Sequence, residues 1–201
     1  RSGENVSLRD VLDEAQSLPL DLLEPTLAAL AELVRNYKCT VILCTATQPA
    51  IGHRSDFPIG LQGVREVIEN PVELAQALRR VEISDAGELD ESTLAQRMAQ
   101  TPQVLTIVDT RTRAAALFQE LRSQQVEALH LSAAMCPKHR SAILQEVRER
   151  LQQGRPCRVV STQLIEAGVD VDFPVVYRAL AGLDAIAQAA GRCNREGRRD
   201  R

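Results

Sequence analysis

The chain has 201 residues, 44% hydrophobic and 25% charged, with a net charge of -3; this is the profile of a globular protein long enough to bury a sizeable core. The charge excludes a surface that is basic throughout, so any nucleic acid must be met locally. Two tyrosines, three phenylalanines and no tryptophan exclude a base-stacking platform.

No apolar run nears the roughly 20 residues needed to cross a bilayer, and Arg1-Ser-Gly-Glu-Asn opens no signal-peptide apolar region. Five cysteines form no Cys-x-x-Cys pair, and His53, His130 and His139 are scattered. The thiols are expected to be reduced, and a histidine metal centre is not expected. A soluble, cytoplasmic protein follows as the expectation.

In chain order, Val11 and Leu12 lead into Asp13-Glu14-Ala15-Gln16. Two carboxylates after a short apolar run would sit at the carboxyl edge of a parallel strand, where open α/β sheets place ligands. One could hold a hydrated magnesium ion while the other polarises an attacking water. Taken alone, such a pair is also an ordinary surface feature. Leu23, Leu27, Leu30 and Val34 then recur at three- and four-residue steps, which predicts an amphipathic helix over 20–38 with Pro25 in its first turn. Thr40 to Cys44 reads as a buried strand with Thr45-Ala-Thr47-Gln-Pro49 at its tip.

His53 to Gly63 reads as a loop. Val64 to Ile68 is expected as a strand, Pro71 to Leu78 as a short helix and Arg80 to Ile83 as another strand. A composition shift puts the domain boundary near Arg80, giving domains 1–80 and 81–201. Asp85 to Asp90 is turn-like and Glu91 to Ala99 helical. Beyond it, strands and helices alternate as in a doubly wound sheet: strand 103–108, helix 112–123, strand 126–131, and a helix from Pro137 to about Gln152. Between these last two lies Ser132-Ala-Ala-Met-Cys-Pro-Lys-His-Arg140, in which Ser132 could simply cap a turn.

The stretch from Arg158 to Arg195 carries the most information. Val159 and Val160 form a strand core ending in Ser161, Thr162 and Gln163, followed by Glu166, Gly168 and Asp170. Further on, Asp184 can cap a helix on which Gln188, Arg192 and Arg195 fall at i, i+4 and i+7. Guanidiniums aligned in this way suit an anionic, multi-oxygen ligand, because each can donate paired hydrogen bonds and keeps its proton.

Ser161-Thr-Gln with Glu166-Ala-Gly-Val-Asp170, and Gln188-x-x-Gly-Arg-x-x-Arg195 after it, resemble motifs V and VI of superfamily-two helicases. Asp13-Glu-Ala-Gln resembles motif II, and Cys44-Thr-Ala-Thr-Gln-Pro motif III. Together the wording is similar to the CRISPR-associated helicase-nuclease of type I systems. The resemblance implies RecA-like parallel sheets flanked by helices: a partial first domain with motifs II and III, then most of a second domain with motifs IV to VI. It also implies an ATP-driven translocase of single-stranded DNA recruited by an RNA-guided surveillance complex in antiviral defence.

Carried over by position, Asp13 and Glu14 would serve Mg2+ and the attacking water. Gly168, Asp170, Gln188, Arg192 and Arg195 would face ATP, with Arg192 and Arg195 also catalytic. Thr47, Ser132, Thr162 and Gln163 would meet the DNA backbone. The Gly-x-x-x-x-Gly-Lys-Ser/Thr phosphate loop of the family is absent from these 201 residues, and its histidine-aspartate nuclease domain is not expected here. The chain therefore reads as a fragment, inactive by itself. Another superfamily-two helicase, acting on RNA or as a translocase, and a non-catalytic docking module stand as alternatives.

Overall fold

The computed structural model describes residues 9–15, 18–45, 51–166 and 168–197. The chain divides into two compact units, Arg1–Leu74 and Ala75–Arg201.

In the first unit, β1 (Arg9–Leu12) pairs in parallel with β2 (Thr40–Leu43), Val11 opposite Ile42. A 3-10 turn at Leu20–Leu22 leads into α1 (Leu23–Asn36), whose buried contact is Leu27. Pro25 is tolerated because the first helical turn has no intrahelical acceptor for its missing N–H. Strand, helix and strand thus follow the expected order. The pairing continues past the strand ends: the Cys44 amide donates to the Leu12 carbonyl at 2.8 Å and the Ala15 amide to the Cys44 carbonyl at 3.0 Å. Both strand tips therefore lie at one edge.

Two sequence expectations fail around the division between the units. Residues 64–68 and 80–83, expected as strands, are irregular. Val64, Val67, Ile68 and Ile83 are exposed there; a strand needs a neighbour for its backbone groups as well as apolar side chains, and these segments pair with no strand among the described residues. Between them α2 (Pro71–Ala77) forms as expected and has no buried residue.

The second unit holds a four-stranded, all-parallel sheet in the order β4-β5-β3-β6. Its strands are β3 (Gln103–Ile107), β4 (Leu129–Leu131), β5 (Cys157–Ser161) and β6 (Val175–Arg178). Around it lie α3 (Glu91–Gln100), α4 (Arg111–Ser123), α5 (Pro137–Gln152) and α6 (Leu183–Ala190). Alternate strand residues face two different cores. Leu105, Ile107 and Val159 pack with Val147 of α5, Ala189 of α6 and Phe173, while Val104 and Val160 pack with Met98 of α3 and Leu117 and Leu121 of α4. A strand sends successive side chains to opposite faces, so a sheet apolar on both faces needs helices on both, which the two clusters supply. β4 is shorter than expected because Gln125 takes a left-handed φ of 59° and the Val126 amide bonds back to the Leu121 carbonyl, extending the turn out of α4.

The last helix departs from its expected form. Gly182, rather than Asp184, is the N-cap, and α6 stops at Ala190. Beyond it the Phe173 amide donates to the Arg192 carbonyl at 2.9 Å and the Asn194 amide to the Phe173 carbonyl at 3.0 Å. Phe173 is fully buried, and bonding to it takes 192–194 out of the helix, so Gln188, Arg192 and Arg195 do not share a helical face. No helix among the described residues is long and apolar enough to cross a membrane.

Candidate functional site

In a parallel sheet all strand tips with the same sense lie along one edge, where the loops are free to carry polar groups. In the first unit that edge presents Asp13 and Glu14, both exposed. The Glu14 amide donates to Asp13 Oδ1 at 3.0 Å, and Glu14 has a left-handed φ of 54°. Side chains other than glycine adopt that conformation at a cost of about 1–2 kcal/mol, and it aims consecutive carboxylates out of one tight turn. Half-buried Thr45 follows β2 at the same edge, while Thr47 lies outside the described residues. No group of three or more His, Cys, Asp or Glu suited to a metal ion occurs among the described residues.

In the second unit β4 and β5 end level, with Leu131 paired to Ser161, so Ser132 and Thr162 emerge side by side. Both are buried. Ser132 Oγ accepts from the Ala134 amide at 3.3 Å, capping the turn into α5, and the Thr162 amide donates to the Leu131 carbonyl at 3.3 Å. Gln163 is exposed at the start of a 3-10 turn, Gln163–Ile165.

Glu166 closes that turn, with its carboxylate 2.5 Å from Arg178 Nε at the end of β6. Both side chains are 6% exposed. Burying either charge alone would cost several kcal/mol, so the pair holds together by mutual compensation. Arg178 Nη1 also donates to the Ala179 carbonyl at 3.0 Å, and Nη2 is buried without a partner. Arg192 grips the same turn from the other side: its Nε donates to the Ile165 carbonyl at 3.0 Å and its Nη2 to the Glu166 carbonyl at 2.5 Å.

Past the turn, Gly168 has a φ of 66° with nothing near the position of a β-carbon. Backbone conformation, not crowding, therefore calls for glycine there. Asp170 Oδ1 lies 3.1 Å from Arg195 Nε, and the Arg195 amide donates to Asp172 Oδ1 at 2.8 Å. Gln188 is half-buried on α6.

The structure thus joins Asp170 to Arg195, sets Ser132 beside Thr162, and fastens Arg192 to the backbone of the segment it was expected to accompany. Sequence reasoning passed over Arg178 and Asn194. A charge ending an apolar strand, Val175 to Arg178, was the available signal for the first; its partner 12 residues away was not visible without the fold.

Residues 100–198 match the family model described as CRISPR-associated nuclease/helicase Cas3, C-terminal. The CRISPR-associated nuclease/helicase Cas3 of Methanothermobacter thermautotrophicus is 34% identical over 93 residues, which are 46% of this chain and 11% of that protein. The chain therefore spans about a tenth of that relative. Among solved structures, T. fusca Cas3 with AMPPNP superimposes with a TM-score of 0.64 at 18% identity, covering 92% of this chain and 26% of that one. A chain in the structure of a CRISPR RNA-guided surveillance complex, pre-nicking, gives 0.60 at 21% identity, covering 95% of this chain and 29% of that one. The fold is RecA-like, with parallel sheets flanked by helices.

Proposed function

We propose that this chain, similar to the Cas3 nuclease/helicase in sequence and in fold, supplies nucleotide- and DNA-handling edges of an ATP-driven translocase that moves along single-stranded DNA. The observation that carries this reading is the Asp170–Arg195 contact, which joins residues of two separate sequence motifs at 3.1 Å. Gly168 shapes the loop that presents Asp170; Asp170 orients Arg195; Gln188 completes the nucleotide-facing set, and Arg192 braces the turn behind it. Half-exposed Arg195, 43% accessible, donates to phosphate oxygens, a role in which an arginine is worth roughly 10³-fold or more in rate. Arg192 contributes alongside it by fixing the Ile165 and Glu166 carbonyls.

Asp13 and Glu14 serve a magnesium ion that accompanies nucleotide phosphates. Two adjacent, exposed carboxylates fit a hydrated magnesium ion, which takes one or two carboxylates and retains its waters. When bound, that ion would neutralise phosphate charge. Thr47, Ser132, Thr162 and Gln163 form the DNA-backbone set, with Gln163 exposed and Thr162 supplying the turn it stands on. The setting is type I CRISPR interference in the cytoplasm, with an RNA-guided surveillance complex as partner.

ATP hydrolysis by the full-length protein carrying this sequence, measured alone, with single-stranded DNA and with RNA of the same length, tests the reading. Stimulation by DNA is expected. Stimulation by RNA alone would move the chain to another helicase class, and no nucleotide-dependent turnover in any arm would overturn the proposal.

A further inference from the structure

The turn that carries Arg195 is held from a second direction. Arg80 Nη1 donates to the Arg195 carbonyl, and Asn194 Nδ2 donates to the Arg80 carbonyl at 2.9 Å. The bonds run both ways between segments more than a hundred residues apart. The turn has an unusual backbone: Asn194 and Gly197 take left-handed φ values of 44° and 63°, and the Gly197 amide closes it on the Asn194 carbonyl at 3.0 Å. The Arg80 side chain lies over Gly197, where a β-carbon would come 3.5 Å from its Cδ and Nε.

Asn194 is buried, and its amide is tied to Phe173 in the core. Arg195 is therefore fixed at three points: its amide by Asp172, its side chain by Asp170, and its carbonyl by Arg80. The first two points belong to the loop before β6. The third comes from the segment that follows α2, close to where the chain passes from one compact unit to the other.

We propose that Arg80 is a positioning residue for Arg195: it clips the segment that follows α2 onto the Asn194–Gly197 turn, so that the position of that turn and the register of the Arg195 guanidinium are set together. This rests on the role given to Arg195 above. A hydrogen bond from an exposed side chain contributes little to overall stability, whereas small displacements of a group acting on a reacting phosphate are costly.

Arg80→Ala in the full-length protein tests it, with Arg80→Lys and Arg195→Ala alongside. Arg80→Ala is expected to keep the wild-type melting temperature, lower kcat for DNA-stimulated ATP hydrolysis by up to about 10²-fold with little change in KM, and speed amide hydrogen exchange over 194–197. Arg80→Lys, which retains a donor within reach, should recover part of both losses. Wild-type turnover, or unaltered exchange in 194–197, would overturn the clip. If Arg195→Ala is inactive while Arg80→Ala is normal, only this inference falls. If Arg195→Ala also turns over normally, the role of Arg195 falls and exchange alone decides the clip.

Discussion

Arg178 Nε lies 2.5 Å from Glu166 Oε1, and the two side chains are equally enclosed. Because β5 and β6 flank β3, this ion pair spans the tip of the central strand and ties the two loops beside it. Removing one partner leaves a buried, uncompensated charge. Arg178→Ala should therefore cost about 3–5 kcal/mol in denaturant unfolding, while Glu166→Leu with Arg178→Met should regain most of that. A double variant no more stable than the single one would show that the pair is not compensating charge.

The two arginines near the end of the chain should separate by their effects. Arg192 donates to two backbone carbonyls, so Arg192→Ala is expected to lower stability by about 1–3 kcal/mol as well as to abolish DNA-stimulated ATP hydrolysis. Arg195 is half exposed and pairs with an exposed carboxylate; Arg195→Ala should change stability by no more than about 0.5 kcal/mol while reducing turnover by roughly 10³-fold. Melting curves and ATPase rates on both variants check this. Equal losses of stability would contradict the division of roles.

His130 stacks on Phe118 with ring centroids 5.4 Å apart, its Nε2 is buried without a partner, and burial holds its pKa below the usual 6.5. The unfolded chain therefore takes up this proton first. The stability linked to His130 is complete above about pH 6.5 and is lost as pH falls through the lower folded-state value. Between about pH 7 and pH 5 the denaturation midpoint should drop more steeply for the wild type than for His130→Leu. Parallel pH profiles would remove the assignment.

Cys157 is fully buried beneath α5, and burial pushes its thiol up to about 11. The thiolate is the reactive form. At about pH 8 an alkylating reagent should label exposed Cys136 in the native protein and reach Cys157 only after denaturation. Mass spectrometry of the labelled peptides reads this directly; native labelling of Cys157 at the rate of Cys136 would mean that the core opens there.

Much of the fold was legible in sequence because local signals agreed with the tertiary outcome. The three- and four-residue apolar spacing of Leu23, Leu27 and Leu30 produces a helix, and Pro137 starts one. The apolar cores of β3 and β5 produce strands buried on both faces. Val64-Arg-Glu-Val-Ile68 and Arg80-Val-Glu-Ile83 also carry β-branched residues, set among charges, but do not form strands, since strand formation depends on a neighbouring edge that a local pattern does not report.

At the site, residue types fixed in the sequence determined the chemistry on offer: adjacent carboxylates at Asp13 and Glu14, a glycine free to take positive φ at position 168, and guanidiniums at 192 and 195. The tertiary structure alone decided which of these groups meet. Spacing of four and three residues fits a helix face, yet hydrogen bonds to buried Phe173 end the helix before Arg192. That non-local pairing turns Arg192 inward onto backbone carbonyls, leaves Arg195 beside Asp170, and brings Arg80 from the far end of the second unit's sequence to the same turn.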